Sequence, residues 1–333
     1  MMEHDKPFKT ISEQLDLLKK RHLQDVNKKS GFILEEIGYY ALINGYKWPF
    51  LKCNPSGEVI DPEEYNDSTT FNDILYLYKF DFELRNVLYR VLLKYESMLK
   101  ASIAYWFSDR YREEHSYLAI DNYSRNPNKT KTVVKLVSEL SSTLSKYSGR
   151  RENNAIKHYV NKHGHVPLWV LTNFLTFGNM NYFYEVMTDD LRIKVANDFR
   201  KMHMREYNLE TMDSISPDIL SSMNKVVNLF RNTVAHGNIT YSEVIEHAAR
   251  VRSIVRKLNL REEYVPQSQT GVFELIICLK LFVPKEEYEY LCNNVLLLIG
   301  KYENKFSSRH IMDVLLNAMH FPLENYKLIL SEE

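Results

Sequence analysis

Chain breakers are scarce in this sequence of 333 residues, which has only ten glycines and ten prolines. A chain this long with so few of either has little room for dense turns, and it points to a helical protein. Cysteine is nearly absent: Cys53, Cys278 and Cys292 form no C-x-x-C pair, and their number is odd. That excludes a disulfide framework and suits a reducing, cytoplasmic setting. Charge of one sign is not in excess. The formal net charge is +0 and the pI is near 7.2. A protein that holds nucleic acid by overall basicity is therefore excluded, and any RNA contact must come from a local patch. Long apolar runs are missing too. The strongest, VLLLIG at 295–300, is far too short to span a bilayer, so no membrane partner is expected. The charged start, MMEHDKPFKTISEQ, has no apolar segment of the signal-peptide kind. No internal repeat occurs, and no G-x-x-x-x-G-K-[ST], G-x-G-x-x-G or G-x-S-x-G motif. With 44% hydrophobic and 26% charged residues, the composition is that of a globular protein with a sizeable core.

What is present is helical periodicity. Residues 10–20 read as a short amphipathic helix opened by a capping box at Thr10 or Ser12. A second helix covers 30–45 and ends near Gly45. The following stretch, WPFLKCNPSGEVIDPEEYNDSTT, holds three prolines and reads as an irregular insert. The longest helix is expected over 82–112. There Leu84, Leu88, Val91, Leu92, Tyr95, Leu99, Ile103 and Trp106 recur at threes and fours. Helices follow at 132–147 and 152–163. Pro167 fits a helix start and Gly178 a break. Ser216 before Pro217 marks the next start, with Ser as N-cap and Pro as first helical residue. Ile219, Leu220, Met223, Val226, Val227, Phe230 and Val234 then form one narrow apolar face, and Gly237 is a natural stop. Further helices are expected at 242–258, 272–282, 285–303 and 308–320, with a hinge at 261–271. The expected division is an N-terminal helical and loop extension (1–70), an all-α core (71–260) and a C-terminal helical tail (261–333).

The end of the 217–236 helix carries the most chemistry. It reads RNTVAHG, residues 231–237. Asn232 and His236 are four apart and share a helix face, so Asn232 can reach back to hold the imidazole. Arg231 lies about 140° around the helix from His236. Arg is long, however, and the last turn frays, so both side chains can converge on an anion beyond the helix end. The negative end of the helix dipole favours an imidazolium there, which suits general acid–base work. Arginine supplies a permanent, bidentate partner for phosphate. The pair suits RNA cleavage, where the 2′-hydroxyl is an internal nucleophile and no metal is needed to make one. One histidine does not readily both remove the 2′-proton and protonate the leaving oxygen, so the chemistry favours a homodimer with two motifs facing each other. The spacing alone is unspecific, and Arg110 and His115 repeat it in a charged segment. On local evidence alone, the plainer reading of RNTVAHG is a capped helix terminus.

Wider resemblance bears on that choice. RNTVAH resembles the R-N-x-x-x-H signature of HEPN ribonucleases. Its surroundings resemble abortive-infection proteins of the AbiD/AbiF type: KPFKTISEQLDLLKKRHL at 6–23, GFILEEIGYYALINGYKWPF at 31–50, FDFELRNVLYRVLLKYESMLKASIAYWFSDRY at 80–111 and PLWVLTNFLTFGNMNYFY at 167–184, followed in order by the motif helix. The resemblance implies an all-α HEPN-type helical bundle and a metal-independent endoribonuclease acting as a toxin in phage defence. It implies restraint by a small non-coding RNA, no cofactor, Arg231 and His236 as the catalytic pair, and Asn232 orienting them. The alternative is a non-catalytic RNA-binding HEPN protein whose motif only grips phosphate. This chain departs from the family after the histidine, where Gly237, Asn238, Ile239 and Thr240 replace a further His or a polar run with Arg.

Secondary candidates surround the motif. Arg150, Arg151, Lys157, His158 and Lys162 form a basic stretch that could face RNA or be a solvated surface. His158, His163 and His165 lack the i,i+4 spacing with a carboxylate that a zinc site needs, so no metal is expected. Glu96 on the long helix has two readings: a support for the site from behind, or more simply an i,i+4 partner of Lys100.

Overall fold

The computed structural model describes residues 7–246, 251–258 and 269–331, and nearly all of their regular structure is helical. In chain order the helices are α1 (Ile11–Lys20), α2 (Lys28–Ile37), α3 (Phe71–Arg110), α4 (Thr130–Ser148), α5 (Ala155–His163), α6 (Leu168–Leu171), α7 (Phe177–Val186), α8 (Asp189–Glu206), α9 (Pro217–Ala235), α10 (Val251–Lys257), α11 (Val272–Leu279), α12 (Lys285–Tyr302), α13 (His310–Ala318) and α14 (Tyr326–Ser331). Two two-residue strands, β1 (Ile245–Glu246) and β2 (Gln269–Thr270), pair antiparallel, with Ile245 opposite Thr270. The fold is all-α, in line with the low glycine and proline content. Among the described residues, no helix is long and apolar enough to cross a membrane.

Local chemistry explains most of the helix ends. Thr10 and Glu13 close a reciprocal capping box on α1. Gly38, at φ +89°, ends α2, so the helix expected to run to residue 45 stops there and resumes as a π-type turn over Tyr40–Asn44. The insert at 46–70 is irregular, with isolated bridges such as Leu51 to Tyr65. Helix α3 has 40 residues, about 60 Å, and starts 11 residues before the expected Phe82. Thr70 and Asp73 bond each other reciprocally at its start. Gly178 is not a break. Thr176 caps α7 by accepting the Asn179 amide, and Gly178 lies inside the first turn, where its lack of a side chain is tolerated. The helix expected over 242–258 begins only at Val251 among the described residues, because Ile245 and Glu246 are extended in β1. The hinge expected at 261–271 falls mainly outside the described residues.

The contacts group the chain into two units. In the first (residues 1–87, 237–242 and 292–333), the insert packs its buried Phe50 near Phe306, ring centroids 6.4 Å apart. Asp73 accepts the amide and hydroxyl of Ser307. Asp81, fully buried, collects four donors: the Tyr46 hydroxyl at 2.8 Å, Arg85 at 2.6 Å and the backbone amides of Thr240 and Tyr241 at 3.0 and 2.7 Å. Arg85 also donates to the Asn238 carbonyl at 3.1 Å. Burial, with the Asp81 carboxylate beside it, pushes the Tyr46 phenol well above its usual range and keeps it a donor.

The second unit (residues 88–236 and 243–291) is built around Tyr95 of α3. Its ring meets Phe177, Phe199 and Phe282 at centroid distances of 6.1, 5.5 and 6.1 Å. Its hydroxyl donates to Asn224 of α9 at 2.5 Å, and Asn181 of α7 donates to the Asn224 carbonyl. All seven apolar positions expected on α9, from Ile219 to Val234, are buried. That buried face fixes the rotation of α9, and so fixes which way its last turn presents the motif.

Candidate functional site

The last turn of α9 is held by ordinary helix chemistry. His236 is the C-cap, its amide donating to the Asn232 carbonyl at 3.0 Å. Gly237 follows at φ +71°, a left-handed conformation that glycine adopts without strain. Val234 and Thr233 point inward, whereas His236 is exposed and Arg231 and Asn232 are half-buried. Among the described residues, neither the imidazole of His236 nor the amide of Asn232 makes a side-chain hydrogen bond, so in the single chain Asn232 does not clasp the imidazole.

Arg231 is engaged on one side only. Its Nε donates to Glu96 Oε2 at 3.2 Å, and among the described residues neither Nη has a partner. The other carboxylate oxygen of Glu96 lies 2.8 Å from Lys100 Nζ, and Lys100 donates in turn to the Leu175 carbonyl at 3.0 Å. Both readings of Glu96 therefore hold at once: it pairs with Lys100 one turn on and supports Arg231 from 135 residues away. Glu96 is 9% exposed, Lys100 17% and Arg231 26%. Two cations share one carboxylate, so the cluster keeps one net positive charge. The guanidinium is oriented through Nε, while its terminal N–H fork stays available for an oxyanion. Glu96→Ala is expected to destabilise the fold by about 3 kcal/mol, the low end for breaking a buried ion pair because Arg231 is partly solvated. Denaturant unfolding of the variant checks this, and a change below about 1 kcal/mol would show that the cluster is no more than a surface pair.

Three segments quoted above meet in this cluster: α3 gives Glu96 and Lys100, the 167–184 stretch gives the Leu175 carbonyl, and α9 gives Arg231. A carboxylate that sequence reading missed also touches the motif. Burial raises the Glu243 carboxyl above its usual range, and the Thr233 hydroxyl partly opposes the rise. The only sequence signal for it was its place seven residues after His236.

The residues after the motif serve the fold. The Asn238 carbonyl is bound by Arg85, and the Thr240 amide by Asp81. The basic stretch gathers at the turn between α4 and α5. Arg150 lies over the Tyr147 ring at 4.4 Å, and Lys157 donates to the Arg150 and Arg151 carbonyls. Arg150, Arg151, His158 and Lys162 are exposed. His165 Nδ1 faces the His163 carbonyl at 3.2 Å and Glu114 at 3.4 Å, and among the described residues no group of three or more His, Cys, Asp or Glu side chains is arranged to hold a metal ion. In the second R-x4-H, helix α3 ends at Arg110, and His115 lies in the following loop, where its Nε2 accepts the Val166 amide.

No curated protein and no solved structure matches the chain. A family model described as Abi-like protein matches residues 32–242, a span that takes in the Glu96–Lys100–Arg231 cluster and ends just past the motif, and the chain belongs to that family.

Proposed function

We propose that this protein is an abortive-infection effector that halts growth in an infected cell by cutting RNA, as a HEPN-type endoribonuclease with Arg231 and His236 as its working pair. Membership of the Abi-like family supports the biological setting. The observation that carries the chemistry is the state of Arg231: Nε tied to Glu96, both Nη groups unengaged among the described residues, five residues from an exposed imidazole. Such a guanidinium is preorganised for a phosphate and needs no rearrangement when charge develops.

In the proposed reaction, the 2′-oxygen attacks the adjacent phosphorus, and the bond from phosphorus to the 5′-oxygen of the next nucleotide breaks. The 2′-proton passes to a base, and the departing 5′-oxygen takes a proton from an acid. Arg231 offsets the charge on the phosphorane. Two proton carriers are needed, and Glu96 is committed to two cations, so His236 of a second copy is the natural complement. The working unit is then a homodimer, held in check before infection by a small non-coding RNA. No step calls for a metal ion.

The test is incubation of single-stranded RNA with the purified protein in EDTA. The expected result is cleavage that leaves 2′,3′-cyclic phosphate and 5′-hydroxyl ends. Activity that disappears on chelation, or products with 5′-phosphate ends, would overturn the mechanism. RNA binding without products under any condition would replace it with the phosphate-gripping, non-catalytic alternative.

A further inference from the structure

Two hollows open on the surface of the second unit, of about 510 and 390 Å³, and they share Tyr105 and Trp169 as a common wall. These two rings are unusually exposed for aromatic side chains, at 63% and 58%. They line both hollows without packing on each other. Tyr105 meets Trp106 edge to face at 4.9 Å, and the buried contacts of this part of α3 are made by its neighbours, Trp106 donating to Asp198 at 2.7 Å and Phe107 packing on Phe183 at 5.0 Å. At one end, the larger hollow is bounded by Glu96 and Lys100, the residues that hold Arg231. Its remaining polar lining includes Asn173, whose amide is anchored on the Trp169 carbonyl.

We infer that the Tyr105–Trp169 groove is a stacking platform for an unpaired base of a single RNA strand, seated so that the neighbouring phosphate lies at the Lys100–Glu96–Arg231 cluster. The inference rests on the RNA-cleaving reading and names the part of the substrate that this surface would hold. Three observations favour RNA over a protein partner. Two separated flat rings offer faces to bases of any sequence. The cluster at the end of the groove carries one net positive charge, complementary to phosphate. The smaller hollow is lined by charged and imidazole groups engaged with one another, Asp109 with Arg112 at 3.0 Å and Glu114 with His165 at 3.4 Å, whereas the centre of a protein interface is depleted of charge. Double-stranded RNA keeps its bases stacked inside the helix and gains nothing from such a surface. The platform therefore selects loops and unpaired strands.

The experiment measures binding of a short labelled single strand with 2′-O-methyl riboses, which has no free 2′-hydroxyl and stays intact. Wild type is compared with Trp169→Ala, Tyr105→Ala and Trp169→Phe. Each alanine variant is expected to bind roughly 5- to 150-fold more weakly, the range for losing one stacked base, while Trp169→Phe keeps most of the affinity. Both side chains are exposed, so the variants should fold as wild type does, which circular dichroism verifies. Wild type that binds the strand while both alanine variants bind it equally well overturns this inference alone. Wild type that binds no single strand at all overturns the RNA reading together with it. Loss of self-association in Trp169→Ala with RNA affinity unchanged would assign the groove to a second copy of the chain, and the inference would fall.

Discussion

In His236→Ala, RNA cleavage is expected to fall by about 10²- to 10⁴-fold, the usual contribution of a positioned acid–base group, while the unfolding transition stays where it is. The two halves of that result come from the same geometry. The imidazole is exposed and makes no side-chain hydrogen bond among the described residues, so its removal leaves no cavity and no orphaned partner, and substitutions of that kind usually move stability by less than about 0.5 kcal/mol. The backbone bond that caps α9, from the His236 amide to the Asn232 carbonyl, survives in alanine. A structural histidine would give the opposite pattern, with lost stability and unchanged rate. Mixing His236→Ala chains with Arg231→Ala chains adds a second readout. If each site is completed by the opposite copy, the mixture regains part of the activity that both parents lack. A rate within threefold of wild type in His236→Ala alone would remove the imidazole from the mechanism.

How much of this was legible in the sequence depended on whether the cause was local. The Ser216–Pro217 start, the seven buried apolar positions and the Gly237 stop of α9 all lie within one helix, and each was readable from its own spacing. The early start of α3 was less visible. In FNDILYLYKF, Phe71, Ile74, Leu75, Leu77 and Phe80 are all buried, so the segment shows a broad apolar surface where a narrow stripe was sought. Its signal was the Thr70–Asp73 cap. The helix expected over 242–258 is present at Val251–Lys257, but its start was misplaced because Ile245 is extended by pairing with Thr270, 25 residues away, and local periodicity carries no trace of that partner. The site divides in the same way. Arg231 and His236 announce themselves by proximity in sequence. Spacing within α3 shows the pairing of Glu96 with Lys100, but not its second bond, to Arg231 across 135 residues. Tyr105 shares α3 with Glu96 and Lys100, but Trp169 of α6 joins them in one hollow only in the fold, and read singly each is an ordinary aromatic on a helix face.

The largest loss of stability is expected from Asp81→Ala, at about 3–5 kcal/mol, the range for removing one partner of a buried ion pair. Native proteins are stable by only about 5–15 kcal/mol in total, so this one carboxylate accounts for a substantial fraction. The reason is the number of groups it satisfies. Without it, Arg85 remains a buried cation at 8% side-chain exposure, whose hydrogen-bond partners among the described residues are the Tyr46 hydroxyl and the Asn238 carbonyl. The amides of Thr240 and Tyr241 are then left without an acceptor, each costing about 1–3 kcal/mol if it finds no water. Tyr46→Phe removes a single donor from the same carboxylate, leaves Asp81 with three others, and should cost only about 1 kcal/mol. The contrast separates a charge hub from a collection of independent hydrogen bonds, for which the two substitutions would cost similar amounts. Denaturant unfolding of both variants decides it. The groups set loose by Asp81→Ala are the first ones after the motif helix, so a variant that still folds at low temperature should also cut RNA more slowly, with the histidine and arginine intact. An unfolding free energy within about 1 kcal/mol of wild type would mean that water can replace the carboxylate as acceptor, and that the segment after His236 is held by packing.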